Sequence, residues 1–305
     1  MQQSLVPQAF YRYTSPRRLI DIRPAGAYAK GTLRDAVSYP YDHKDSLEEF
    51  AKKIMLGFTG AHLHIFDVDG RVAQELAGLL SCTFLHGGYK GFQRWREEIF
   101  SSFQFIVIGG CTGSGKTDLL QKMAQWDFQV LNFEELAQHR GSVFGFMNEA
   151  QPRHEEFHNQ LLSHCMAMDE HRPVWIEEKG DYLGQVGIPQ AIKDRMLYAP
   201  YVMLSVPFAE RLQRIIERYN NLPAGQFRQA IRQLEKRMGT SRNHKALHYY
   251  DSGQQERCFE LLLNYYDEAY ETRRSKAEPV LQFEVLSSDC TVDQFKKVEE
   301  HCLVR

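Results

Sequence analysis

Gly110-Cys111-Thr112-Gly113-Ser114-Gly115-Lys116-Thr117 matches the pattern G-x-x-x-x-G-K-[ST] in full. That spacing serves one chemistry, the capture of a phosphate chain. Gly110, Gly113, Ser114 and Gly115 are expected to turn successive backbone N–H groups inward around an anion. A helix starting at Lys116 would add its positive N-terminal end. Lys116 is expected to reach the terminal phosphates and Thr117 to hold a magnesium ion. Such a site needs a carboxylate from the end of a neighbouring strand. Val174-Trp175-Ile176-Glu177-Glu178 offers two, and spacing does not choose between Glu177 and Glu178. The pattern predicts phosphate or diphosphate binding, with ATP one candidate occupant, and is silent on the reaction. A chance glycine-rich turn is the alternative.

The elements around the loop make that alternative weak. Phe103 to Ile108 is a near-continuous apolar run, as in a strand covered on both faces, and a helical pattern follows the glycines. Further strands are expected at Gln129–Leu131, Pro173–Ile176 and Tyr201–Val206, and a mostly helical region from Phe208 to Tyr270. Before residue 102, strands are expected at Leu19–Ile22, His62–Phe66 and Cys82–Leu85. Helices are expected at Leu47–Leu56, Arg71–Leu80 and Gly91–Phe100. Ser46 with Glu49 gives the first of these helices a capping box. Strands alternating with helices imply parallel sheets. The reading is α/β throughout, with one unit over 1–102 and a second over 103–305.

A length of 305 residues suits two domains. The 43% hydrophobic and 25% charged content excludes wholesale disorder. A net charge of −2 excludes a uniformly basic chain that coats nucleic acid, but not a local basic patch. No apolar run approaches the roughly 18 residues of a membrane span. The first residues lack the basic start and apolar core of a secretory signal. The six cysteines are scattered without a C-x-x-C pair, which speaks against structural zinc and a disulfide framework. A cytoplasmic location is expected.

Residues 205–248 carry nine Lys or Arg against three Glu. Arg211, Arg214 and Arg218 recur at helical spacing, as do Arg228 and Arg232, and such faces suit a phosphate backbone. Tyr249, Tyr250, Tyr265, Tyr266 and Tyr270 are candidates to stack on unpaired bases. A solvated helix face over core tyrosines is the competing reading. His139-Arg140-Gly141-Ser142-Val143-Phe144-Gly145 reads equally as a helix stop or a functional segment.

Taken together, these residues resemble the bacterial tRNA 2-selenouridine synthase family, a rhodanese-like domain fused to a P-loop domain. Leu19-Ile20-Asp21-Ile22-Arg23 resembles the opening rhodanese strand, Gly31 to Ala36 one of its turns, and His86-Gly87-Gly88-Tyr89-Lys90 its closing turn. In the second part, the phosphate loop, Phe133 to Gln138 leading into His139-Arg140-Gly141-Ser142, and Tyr265-Tyr266-Asp267-Glu268-Ala269-Tyr270 resemble family motifs. The resemblance implies a transferase acting on the wobble 2-thiouridine of tRNA. It implies replacement of sulfur by selenium from selenophosphate, through an S-geranyl intermediate made from geranyl diphosphate. Lys116 and Glu177 are then the expected catalytic residues, joined by Arg140 on resemblance alone.

A rhodanese carries its transferring thiol at the start of a C-x-x-G-x-R-like loop. The equivalent stretch here is Ile65-Phe66-Asp67-Val68-Asp69-Gly70-Arg71, with no cysteine. Cys82 reads as a small core residue, and Asp67 and Asp69 would repel an anionic donor. The expectation is a live P-loop domain beside a silent rhodanese fold, with a thiol-donor protein as partner if selenium transfer persists. Phe66 to Gly70 also resembles the D-x-D-G opening of haloacid-dehalogenase-type phosphatases. A small-molecule kinase or ATPase, and a nucleotide-gated tRNA-binding protein without catalysis, stay open as alternatives.

Overall fold

The computed structural model describes residues 3–12, 18–33, 36–58, 62–140, 150–220, 222–274, 281–286 and 290–303. In chain order the first elements are β1 (Gln3–Leu5), α1 (Pro7–Arg12), β2 (Arg18–Asp21), α2 (Ala25–Tyr28), β3 (Val37–Ser38) and α3 (Leu47–Gly57). Then come β4 (Leu63–Phe66), α4 (Arg71–Leu79), β5 (Thr83–Leu85) and α5 (Gly88–Ser102). The chain continues through β6 (Phe105–Gly109), α6 (Lys116–Gln125), β7 (Gln129–Leu131), α7 (Phe133–Ala137), α8 (His154–Cys165) and β8 (Val174–Glu177). Next are β9 (Tyr182–Leu183), β10 (Val186–Gly187), α9 (Gln190–Leu197), β11 (Tyr201–Ser205) and α10 (Phe208–Tyr219). The last are α11 (Ala224–Gln233), α12 (Glu235–Met238), α13 (Thr240–Asp251), α14 (Gln255–Arg274), β12 (Gln282–Leu286) and α15 (Val292–Leu303).

Two compact units result, one of residues 1–102 and 152–166, the other of 103–151 and 167–305. The chain passes from the first to the second between Ser102 and Phe103. The segment 152–166 lies beyond that point in sequence and packs in the first unit. Its cause is a buried cation. Arg96 on α5 is 2% exposed, and a charge so placed needs an anion. Glu155 on α8 supplies it, at 3.0 Å from Arg96 Nη1, and also accepts from Tyr89 and Gln93.

The first unit is a five-stranded sheet in the order β1-β5-β4-β2-β3, and its pairs are parallel. Ile20 and Ile65 on its strands pack against Phe50 and Ile54 of α3 and Leu76 of α4. The capping box of α3 is present, with Glu49 N donating to Ser46 Oγ at 3.2 Å and Ser46 N to Glu49 Oε2 at 3.1 Å. The second unit has a parallel sheet in the order β12-β11-β6-β8-β7. β6 lies at its centre, buried along its whole length, as its unbroken apolar run requires. Helices α10 to α14 form a separate core around Phe227, Ile231, Phe259 and Leu263. The α/β expectation is met: a unit with a parallel sheet, then a second parallel-sheet unit that carries the phosphate loop and a helical extension. No helix among the described residues is long and apolar enough to cross a membrane.

Candidate functional site

The phosphate loop connects β6 to α6, at the carboxyl ends of the sheet, where open α/β sheets bind ligands. Gly113 and Gly115 hold φ of +83° and +85°, a region that favours glycine. Lys116 opens α6 and folds its ammonium over the loop, donating to the Gly110 and Cys111 carbonyls at 2.6 and 3.2 Å. Burial pushes its pKa down from the ordinary lysine value.

Thr117 gathers the acidic side of the site. Its hydroxyl donates to Glu177 Oε2 at 2.8 Å and lies 3.2 Å from Glu134 Oε2. The other oxygen of each carboxylate accepts from Lys179, at 2.7 Å for Glu177 and 2.6 Å for Glu134. Lys116 Nζ lies 3.9 Å from Glu177 Oε1. Burial alone would raise the pKa of Glu177, but Lys179 and Lys116 outweigh it and hold the carboxyl below its usual range. Burial likewise opposes the charge on Lys179, and Glu177 with Glu134 overcomes it and raises that pKa. Glu177 therefore meets Thr117, and its neighbour Glu178 faces Tyr201 instead, accepting from that hydroxyl at 2.6 Å.

Sequence reasoning missed Glu134 and Lys179. Both had a signal. Lys179 lies two residues past the end of the strand that carries Glu177. Glu134 sits in the first turn of α7, directly after a strand that ends at the same sheet edge.

A cavity of about 650 Å³ opens from the loop. Its polar lining includes Lys116, Thr117, Glu134, Glu177, Arg140 and Arg218. Its apolar lining is Ile215 and Tyr219 of α10 with Phe259, Leu262, Leu263 and Tyr266 of α14, which belong to one hydrophobic cluster. The Tyr266 hydroxyl is buried with no hydrogen-bond partner among the described residues. Arg140 is part of the polar lining, and His139 beside it is half-buried, which lowers its pKa. Gly141, Ser142 and the rest of that motif lie outside the described residues, as do Arg34 and Asp35 of the Gly31–Ala36 turn.

The basic helices divide. Arg211 does not offer its charge to a partner: it is 6% exposed and paired with Asp267. Helical spacing placed it on one face with Arg214 and Arg218, and that face looks onto the phosphate loop. Arg214 donates to the Ser114 carbonyl at 2.9 Å, and Arg218 pairs with Asp118 at 3.2 Å. Arg228 pairs with Asp251, and Arg232 is exposed. The tyrosines belong mainly to protein contacts rather than open platforms. Tyr250 stacks on Phe227 at 4.3 Å, and the Tyr270 hydroxyl accepts from Gly110 N at 3.0 Å.

In the first unit the loop after β4 is closed by its own first residue. Asp67 Oδ1 accepts from Gly70 N, and Oδ2 from Val72 N at 2.8 Å and Ala73 N at 3.4 Å. These are the N–H groups that start α4, where an anion is stabilised. A phosphatase nucleophile would need that carboxylate directed outward, so the D-x-D-G resemblance finds no support. Burial pushes the Cys82 thiol up to about 11, which fits an inert core cysteine.

The family comparison falls on the second unit. The tRNA 2-selenouridine synthase AAA domain model matches residues 103–299. A tRNA 2-selenouridine synthase of Salmonella agona (strain SL483) is 33% identical over 148 residues, which is 46% of this chain and 39% of that protein. A relative of the same description from Salmonella typhi is 32% identical over 148 residues. The aligned stretch thus spans well under half of these relatives. Among solved structures, a rhodanese-related protein from Thermoplasma volcanium covers 30% of this chain and 92% of its own, at 12% identity and a TM-score of 0.26. TT1252 from Thermus thermophilus covers 65% of this chain and 97% of its own, at 14% identity and a TM-score of 0.35. With the family model matched over 197 of the 305 residues, this chain belongs to the tRNA 2-selenouridine synthase AAA-domain family.

Proposed function

We propose that this chain is a transferase that modifies the wobble 2-thiouridine of tRNA, and that its second unit alkylates the sulfur with geranyl diphosphate. One observation carries the reading. The phosphate loop does not open onto a wholly polar cleft: its cavity continues into an apolar wall of α10 and α14. A diphosphate with a hydrocarbon tail matches both kinds of lining at once.

The roles follow from the side chains. The loop amides, Lys116 and Arg140 hold the diphosphate and stabilise the charge that grows on it as the allylic C–O bond breaks. Ile215, Phe259, Leu262 and Leu263 hold the chain and exclude water from the reacting carbon. The thiocarbonyl sulfur of the tRNA is the nucleophile, so no enzyme thiol is needed. Thr117, Glu177 and Glu134 present hard oxygen donors at one point, which fits magnesium. Among the described residues no three or more His, Cys, Asp or Glu side chains form a metal cluster, so the ion would draw its other ligands from phosphate and water. When bound, it would supply further neutralisation of the diphosphate.

Exposed Arg232, together with Arg214, Arg218 and Arg228, is the proposed tRNA-contacting set; Arg211 is left out of it. The first unit does not carry selenium, because Asp67 fills the loop where a transferring thiol would sit. Exchange with selenophosphate then depends on a thiol-donor protein, and a tRNA substrate sets a cytoplasmic location.

The test is the mass of a 2-thiouridine-containing tRNA after incubation with the pure protein, geranyl diphosphate first and selenophosphate second. A geranyl gain that stops there, and is lost in Lys116→Ala, supports the reading. Full conversion to selenium by the pure chain overturns the silent first unit. ATP turnover without any change in tRNA mass supports the kinase or ATPase alternative. Salt-sensitive tRNA binding with neither activity supports the non-catalytic one.

A further inference from the structure

S-alkylation of a 2-thiouridine has a proton to place. The sulfur lone pair forms the bond to the allylic carbon, and the C–O bond breaks with its electrons leaving on the diphosphate. C2=S becomes C2–S, a C2=N3 bond forms, and the proton on N3 must depart. A base beside N3 takes that proton as the bond forms, so the cation does not have to build up.

The carboxylates around the cavity are not equivalent. Glu177 and Glu134 each give one oxygen to Lys179 and the other to Thr117. Asp118 is paired with Arg218, and Glu217 accepts from Gln213. Glu178 differs. Its Oε2 accepts from the neutral Tyr201 hydroxyl at 2.6 Å, and its Oε1 has no hydrogen bond among the described residues. Its backbone N–H continues the sheet by donating to the Ile108 carbonyl at 2.9 Å, which fixes it at the strand end above the loop.

One phenol holds that carboxylate, and a second holds the first. Tyr201 OH lies 2.5 Å from Tyr270 OH, and Tyr270 accepts from Gly110 N at 3.0 Å. Tyr201 reaches this point across Gly109, where any Cβ would overlap its ring and hydroxyl. That gives Gly109, which lies outside the phosphate-binding pattern, a physical role. Burial, followed by the Glu178 charge, raises the Tyr201 pKa, so this phenol stays a donor. The chain Glu178–Tyr201–Tyr270–Gly110 runs from the carboxylate to the loop that holds the leaving group.

We propose that Glu178 is the base that takes the N3 proton as the sulfur is alkylated, and that Tyr201 and Tyr270 are positioning residues for it. The assignment rests on the alkylation reading above and adds the group that completes its proton balance.

The experiment is single-turnover alkylation of 2-thiouridine tRNA by wild type, Glu178→Ala, Tyr201→Phe and Lys116→Ala, with geranyl diphosphate affinity measured for each. Glu178→Ala is expected to lose about 100-fold in rate, the lower end for a lost general base, while binding geranyl diphosphate within about threefold of wild type. Added formate or acetate is expected to restore part of that rate, and none in Lys116→Ala. Tyr201→Phe keeps the carboxylate but frees it, so it loses about tenfold and is not restored by acetate. A Glu178→Ala rate within about threefold of wild type overturns the assignment alone. So does a loss that no small carboxylate restores. A wild type that never alkylates overturns the alkylation reading itself, and this assignment with it.

Discussion

The Arg211 guanidinium grips the Asp267 carboxylate through two bonds, Nη1 to Oδ1 at 2.9 Å and Nη2 to Oδ2 at 2.7 Å. The same Nη1 donates to the Thr112 carbonyl at 3.1 Å. One side chain thus ties α10, α14 and the phosphate loop together. Removing one partner of a buried pair leaves the other charge uncompensated. Asp267→Leu is expected to lower the unfolding free energy by about 3 kcal/mol. Arg228→Ala, in an exposed pair with Asp251, is expected to change little. Urea denaturation of both variants checks this, and equal losses would contradict the burial argument.

Acid stability depends on Glu177. Its folded pKa lies below its ordinary value because Lys179 and Lys116 outweigh the cost of burial. The folded state therefore binds fewer protons than the unfolded one as pH falls from about 4.5 towards the folded value. The stability it contributes is present above the unfolded pKa and is lost as pH falls through the folded one. Thermal melts between about pH 6 and pH 3 should show a shallower acid decline for Glu177→Gln than for wild type. Parallel declines would contradict it.

Much of this was readable in the sequence. The loop from Gly110 to Thr117 and its flanking strand and helix follow from apolar runs and glycine spacing. The transfer of α8 to the first unit was not readable, because its cause is a charge on Arg96 that becomes buried only in the folded chain. Glu134 and Glu177 are 43 positions apart in sequence, so their meeting at Thr117 depends on sheet order. Arg211 shows the limit of helical periodicity. The spacing placed it on a face with Arg214 and Arg218, but not on the buried side against Asp267. β1, β12 and α15 carry no clear apolar run; the two strands lie at the edges of their sheets, paired on one side only.

The buried Tyr266 hydroxyl, in the cavity lining, lacks a partner among the described residues. Such a group costs stability, and removing it removes the cost. Tyr266→Phe should be more stable than wild type by about 1 kcal/mol and should bind an alkyl diphosphate at least as tightly. A comparable loss of stability would mean that the hydroxyl is satisfied in solution.

Asp67 is the acceptor for the N–H groups of Gly70, Val72 and Ala73. Asp67→Ala orphans them and is expected to cost about 2 kcal/mol. Asp67→Asn keeps one carbonyl oxygen in the cradle and should cost less. Denaturation curves of the two variants check the order, and the reverse order would show that the cradle does not need this side chain.

The account rests on one cavity serving a diphosphate and a hydrocarbon chain together, and calorimetric affinities test that most directly. Each buried methylene is worth about 0.8 kcal/mol, so geranyl diphosphate should bind at least about tenfold more tightly than inorganic diphosphate. Leu263→Asp should erase that margin while leaving inorganic diphosphate binding in place. Equal affinity of the two ligands for the wild-type protein would contradict the account.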